Sequence, residues 1–213
     1  MLKDLYIVGA GGFGREVAWL VERINQENEE WNLKGFIDDN SAIHGTQEGG
    51  YTVIGGCDYL KTLSEPVWVV CAIGNSKIRK KIIEKLYDIS KVQFATLVDP
   101  SIIKSSRVTI QEGSILCAGT IMTVDIKIGS HVIINLDCTI GHDVIIQDFV
   151  TIYPSVNVSG NVLIGECVEL GTGAQIIQGK DVCCGSIIGA GAVVVSNLEK
   201  SGTYVGVPAK KVK

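Results

Sequence analysis

Apolar and polar positions follow two different rhythms along this chain, and the change falls near residue 96. In the first stretch, Leu5-Tyr6-Ile7-Val8 is a short apolar run that ends in glycines. Val17, Leu20, Val21 and Ile24 then follow at the spacing of one helix face. The pattern predicts a strand, a glycine turn and a helix from Gly14 to about Asn25. Polar residues 26–32 separate this helix from a second strand, Leu33 to Ile37, which ends in Asp38-Asp39. Val67 to Ile73 is apolar without alternation, as a strand covered on both faces would be. Gly74-Asn75 lead into a charged helix from Ser76 to about Tyr87. Strands alternating with helices predict an α/β unit with a short parallel sheet over residues 1–95.

From about residue 98 the helical spacing gives way to a period of six. From Ile110 to Val194 every sixth residue, fifteen in all, is Ile, Leu, Val or Met. Two residues before each stands a mostly small or β-branched side chain, such as Val108, Thr120, Val132 and Cys138. One residue after it, glycine recurs at Gly129, Gly141, Gly165, Gly171 and Gly189, where a tight corner is expected to demand unusual backbone angles. Short strands stacked on copies of themselves form a β-solenoid over residues 96–213. Periodicity does not give its hand, and the general rule for parallel crossovers favours a right-handed one.

Composition removes several classes. With 46% apolar and 20% charged residues in 213, the chain can bury a core and is not disordered. No apolar run approaches the roughly eighteen residues of a membrane span, and the N-terminal apolar stretch is cut by glycines, unlike a secretory signal. A cytoplasmic protein is expected. The formal charge of −4, with no basic block, excludes a nucleic-acid surface. Seven cysteines, none in a C-x-x-C pair, read as reduced, buried thiols, with Cys183-Cys184 as packing.

Two places carry candidate chemistry. Gly9-Ala10-Gly11-Gly12-Phe13-Gly14 fits G-x-G-x-x-G between strand and helix, where exposed amides and the helix dipole favour a phosphate. Asp38 stands roughly where a dinucleotide site would place its acid, although the unit is short for one. The plainer alternative is that the glycines only permit close helix packing and Asp38-Asp39 cap a turn. In the solenoid, His142 lies two residues past Ile140 and just beyond Gly141, outside the buried ladder, with Asp143 beside it. An imidazole there can accept a proton near neutral pH, and an adjacent carboxylate orients it and raises its basicity. Alternatively it is a solvated turn histidine. His131 reads as a surface residue without a role, and His44 falls in the other unit, leaving too few histidines for a zinc site on the solenoid. Cys138 occupies an inward position, so a covalent route through its thiol is not favoured.

The hexads identify the C-terminal half with the hexapeptide-repeat acyltransferases, and four motifs resemble one branch of them. These are Gly9 to Val17, Gly35-Phe36-Ile37-Asp38-Asp39, Ala72-Ile73-Gly74-Asn75 and Ile140-Gly141-His142-Asp143. They occur in the order found in the branch that acetylates nucleotide-activated amino sugars, which also includes sialic acid O-acetyltransferases. The resemblance implies a Rossmann-like N-terminal domain followed by a left-handed parallel β-helix, five coils of three hexads and about 24 Å of stacked strands, closed by Gly206-Val207-Pro208-Ala209-Lys210. It implies that His142 is the general base, with Asp143 orienting it, in direct acetyl transfer from acetyl-CoA and without a metal. Gly11, Gly12, Phe13, Asp38, Asp39, Gly74 and Asn75 would meet the nucleotide sugar. Gly160, Thr172 and Ala190 would meet acetyl-CoA in a groove between subunits of a homotrimer, and Lys210 and Lys211 could reach its phosphates. Phe13 and Thr151 stand where relatives carry histidine. The expected activity is N-acetylation of a UDP-, GDP- or dTDP-linked amino sugar for surface-glycan synthesis. O-acetylation of a free sugar such as sialic acid, and a non-catalytic nucleotide-binding or scaffold subunit, are the alternatives.

Overall fold

Alternating strand and helix signals resolve into one twisted sheet. The computed structural model describes residues 2–213, which form two compact units divided after Pro100. The first contains β1 (Lys3–Val8), α1 (Gly12–Glu27), β2 (Trp31–Ile37), β3 (Gln47–Glu48), β4 (Tyr51–Gly55), β5 (Val67–Cys71), α2 (Ser76–Tyr87) and β6 (Val92–Phe94). Their order in the sheet is β3-β4-β2-β1-β5-β6. All neighbours are parallel except β3 and β4. The chain moves outward from β1 to β2 and β4, then returns to the other side of β1 for β5. That reversal opens a crevice at the carboxyl ends of β1 and its neighbours, the place where open α/β sheets bind ligands.

Leu5, Ile7, Phe36, Ile37, Val69 and Val70 are fully buried, and in β5 this accounts for the unbroken apolar text from Val67 to Cys71. The β3–β4 hairpin was not anticipated. Its loop, Gly49-Gly50, has φ of +54° and +87°, a pair of left-handed residues that a two-residue hairpin turn requires.

The second unit is a parallel β-helix of the left-handed kind. Each hexad supplies a strand of two residues, and three faces repeat in turn. Thr139-Ile140, for example, pairs with Asn157-Val158, and Ile133-Ile134 with Thr151-Ile152. Backbone donors find acceptors one coil on, as in Thr139 N–H to Val156 O at 3.0 Å and Gly141 N–H to Val158 O at 2.8 Å. Inside, Ile128, Ile140, Ile146, Ile164 and Val194 are buried, each contributing about 1.5–3 kcal/mol by leaving water. The last full strand, Thr203–Val205, stacks on Ile187-Ile188 and pairs antiparallel with Lys210-Lys211. The segment from Gly206 to Lys210 turns the chain back over this edge.

One expectation about the corners is corrected. Gly129, Gly141, Gly165, Gly171 and Gly189 do not have positive φ. They are bare because adjacent coils nearly touch there: a Cβ on Gly141 would lie 2.6 Å from Gly160 N, and one on Gly171 2.7 Å from Ala190 N. The left-handed residue comes two positions later. Glycine takes it at Gly113, Gly173 and Gly191, but Asp125, His131, Asp143 and Phe149 take it elsewhere.

Candidate active site

At the crevice, the glycines have two different reasons to be glycine. A Cβ on Gly9, whose φ is +102°, would lie 2.6 Å from Ile73 Cδ1, and one on Gly14 would overlap the Gly9 carbonyl. Those two serve packing. A Cβ on Gly11 would meet nothing within 4 Å, and one on Gly12 only the Arg15 guanidinium at 3.9 Å. Their bareness leaves the first turn of α1 accessible. Gly11 offers no capping side chain and no acid lies in that turn, so the amides and positive end of a 16-residue helix are available to an anion. Phe13, in the same turn, is half-buried.

The acidic pair divides its work. Asp38 accepts the Ala10 N–H at 3.0 Å through Oδ2 and the Asn40 N–H at 2.9 Å through Oδ1, and its carbonyl lies 2.7 Å from His44 Nε2. Asp38 therefore holds the glycine turn. Asp39 is exposed and accepts the Cys57 N–H at 2.8 Å through Oδ1. Burial, and then the charge of Asp39, push the Cys57 thiol up to about 12. Across the crevice Asn75 caps α2 by accepting the Ile78 N–H at 2.9 Å. The Ile73 and Gly74 carbonyls accept from Arg79 Nη1 at 2.6 and 3.1 Å. His44 and Arg79 were missed. Arg79 left a signal, a charge on the stripe Ser76, Arg79, Ile83 and Leu86 that α2 buries.

On the β-helix, His142 follows the strand Thr139-Ile140 and turns outward with half its side chain exposed. Its Nδ1 lies 2.8 Å from Asp143 Oδ2. With Nδ1–H donating to that carboxylate, the lone pair of the neutral ring sits on Nε2. One coil on, Gly160 lies under the ring: a Cβ there would come 2.5 Å from Nε2 and 2.6 Å from Cε1. Gly160 is thus brought to His142, as an element of its seat. Thr172 and Ala190 stack on each other, with Gly191 N–H donating to Thr172 O at 2.8 Å. They follow the strands Glu169-Leu170 and Ile187-Ile188, on a different face from the strand that precedes His142. Within one β-helix the three expected cofactor residues are therefore not gathered together. Lys210 and Lys211 are exposed, and Lys211 Nζ donates to Ser201 O at 2.8 Å.

Two readings of side chains change. His131 is not a surface residue: it is 1% exposed and stacks on Phe149, with ring centroids 5.2 Å apart and planes 14° apart. Cys184 is exposed rather than packed, and with Cys183 it lines a groove of about 450 Å³ beside Leu198. Thr151 is buried. Cys138 behaves as expected, buried with its Sγ 3.3 Å from Tyr153 O, and burial pushes its thiol up to about 11, too high for a nucleophile at neutral pH. Among the described residues no group of three His, Cys, Asp or Glu side chains could hold a metal ion, and no helix is long and apolar enough to cross a membrane.

Comparison with known proteins agrees with both halves. Residues 4–86 match the PglD N-terminal domain. The chain is 30% identical over 178 residues to the GDP-perosamine N-acetyltransferase of Escherichia coli O157:H7, spanning 83% of this chain and 79% of that one. Among solved structures, the acetyltransferase domain of PglB from Neisseria gonorrhoeae FA1090 in complex with acetyl coenzyme A superposes with a TM-score of 0.89 at 31% identity, covering 100% of both chains. A variant of perosamine N-acetyltransferase from Caulobacter crescentus in complex with CoA and GDP-perosamine gives a TM-score of 0.89 at 27% identity, covering 100% of this chain and 98% of that one.

Proposed function

This chain belongs to the hexapeptide-repeat N-acetyltransferases of nucleotide-linked amino sugars, and on that premise we propose that His142 carries the transfer of acetyl from acetyl-CoA to a sugar amine bound through its nucleotide at the glycine turn. The neutral amine attacks the thioester carbonyl carbon, the new C–N bond forms, and the C–S bond breaks as the tetrahedral intermediate collapses. Nε2 of His142 takes the proton that the amine loses, and the departing CoA thiolate is protonated in turn. Asp143 holds Nδ1–H, which orients the ring and leaves the basic lone pair on Nε2. The observation that carries this reading is the seat of His142, an outward imidazole fixed on one nitrogen by Asp143 and lying over a bare Gly160.

Gly11, Gly12 and the first turn of α1 would receive the diphosphate, Asp39 the nucleoside side, and Gly74 and Asn75 the opposite wall, with Asp38 and Phe13 shaping the turn. Acetyl-CoA would run past Gly160 in a groove completed by Thr172 and Ala190 of a second copy in a homotrimer. The separation of these residues onto different faces of one chain supports that assignment. Free thiols and a need for acetyl-CoA support a cytoplasmic setting, with surface-glycan synthesis as the use of the product.

The test is direct. Purified protein given acetyl-CoA and a panel of UDP-, GDP- and dTDP-linked amino sugars should release free thiol with at least one of them, and the product should carry an amide. Thiol release with free sugars alone, giving an ester, would replace this reading with O-acetylation.

A further inference from the structure

The largest fully buried side chain among the described residues is a charged one, Arg79, 1% exposed on the inner face of α2. A guanidinium gives up much solvation to sit there, and an apolar residue of similar volume usually stabilises a fold as well or better. What it does locally is specific. Nη1 donates to Ile73 O at 2.6 Å and to Gly74 O at 3.1 Å, so both carbonyls of the β5–α2 turn face inward to the cation. The Arg79 amide in turn donates to Asn75 O at 2.9 Å.

That turn touches the glycine turn. A Cβ on Gly9 would lie 2.6 Å from Ile73 Cδ1 and 3.2 Å from Ala72 O, and Gly9 N–H donates to Ile37 O at 2.8 Å. Asp38 grips the next amide, Ala10 N–H, at 3.0 Å. The open segment Gly11-Gly12 thus follows directly from a chain held by Asp38 on the β2 side and by Ile73 on the β5 side. Carbonyl oxygens left pointing into the crevice would repel a diphosphate. A cation behind them turns them away and adds positive potential where little water screens it.

We infer that Arg79 is a positioning residue for the diphosphate of the nucleotide-linked substrate, fixing the Ile73-Gly74 turn and, through Ile73 against Gly9, the glycine turn. This deepens the nucleotide-binding reading and rests on it.

Calorimetric titration with GDP, UDP and dTDP separates the two claims. If the unaltered protein binds none of the three, the nucleotide reading fails, and this one with it. If it binds one, Arg79→Met should weaken that affinity about tenfold or more, as expected on losing a charged donor. KM for the nucleotide sugar should rise while kcat at saturation and KM for acetyl-CoA stay within about twofold. Arg79→Lys, which keeps the charge but not the two-carbonyl reach, should recover part of the affinity. Should Arg79→Met fail to fold, Arg79→Lys carries the test through amide exchange: the Gly9 and Ala10 amides, bonded to Ile37 O and Asp38, should exchange faster than in the unaltered protein, with β2 and β5 equally protected. Unchanged affinity and exchange in folded variants, or a fall in kcat with KM intact, would overturn the inference.

Discussion

His131 and His142 stand on corners of the same β-helix, built from the same six-residue unit, yet one imidazole is sealed and the other open. His131 is the third residue past Ile128, takes the left-handed conformation with φ of +55°, and has Phe149 one coil on. His142 is the second residue past Ile140 and has Gly160 one coil on. A large ring over the first buries it, whereas a missing side chain next to the second leaves half of the His142 side chain exposed. Phe149 itself sits at φ of +59°, a conformation that costs a bulky residue about 1–2 kcal/mol. The stacked pair contributes about 0.5–1.5 kcal/mol beyond the area it buries and offsets part of that strain. In a repeat this regular, the exposure of a side chain is assigned by one step in the hexad and by the residue stacked on the next coil.

Breaking the contrast at its open end should have the largest effect. His142→Ala should reduce turnover by about two to four orders of magnitude, the range for a positioned proton acceptor, with an unchanged far-UV spectrum. Turnover that survives this change removes His142 from the mechanism. A smaller loss should follow Gly160→Ala, because the added methyl would come 2.5 Å from Nε2 and must push the ring aside; steady-state kinetics should show kcat down about tenfold or more in a protein that melts normally. The sealed corner should respond in the other currency. His131→Asn keeps a residue that tolerates left-handed φ but removes the stacked ring, and thermal melting should show about 1–3 kcal/mol of lost stability with turnover at low temperature unchanged.

Much of this was legible in the text of the chain. Ladder residues such as Ile140 and Val158 could be placed inside from their six-residue spacing, and the stacking of Thr172 on Ala190 from the three hexads per coil that the resemblance to the hexapeptide-repeat family implies. The turn glycines were recognisable, but not which of them serve packing. Gly9 and Gly14 look like Gly11 and Gly12 until the neighbours Ile73 and the Gly9 carbonyl are in place. The hairpin at Gly49-Gly50 was hidden because two glycines between short runs signal a turn without saying which strand returns to the sheet.

What the sequence determined by itself is the architecture: a period of six over most of the second half, and a strand, glycine turn and helix at the start. Periodicity is a local property, read without knowing what lies across the core. Only the tertiary structure decided which bare positions open onto solvent, which histidine is covered, that Asp38 is spent on a backbone turn, and that a buried Arg79 grips two carbonyls. Each of those depends on a neighbour distant along the chain, and burial and hydrogen bonding are set by such neighbours, whereas spacing is set by the chain alone.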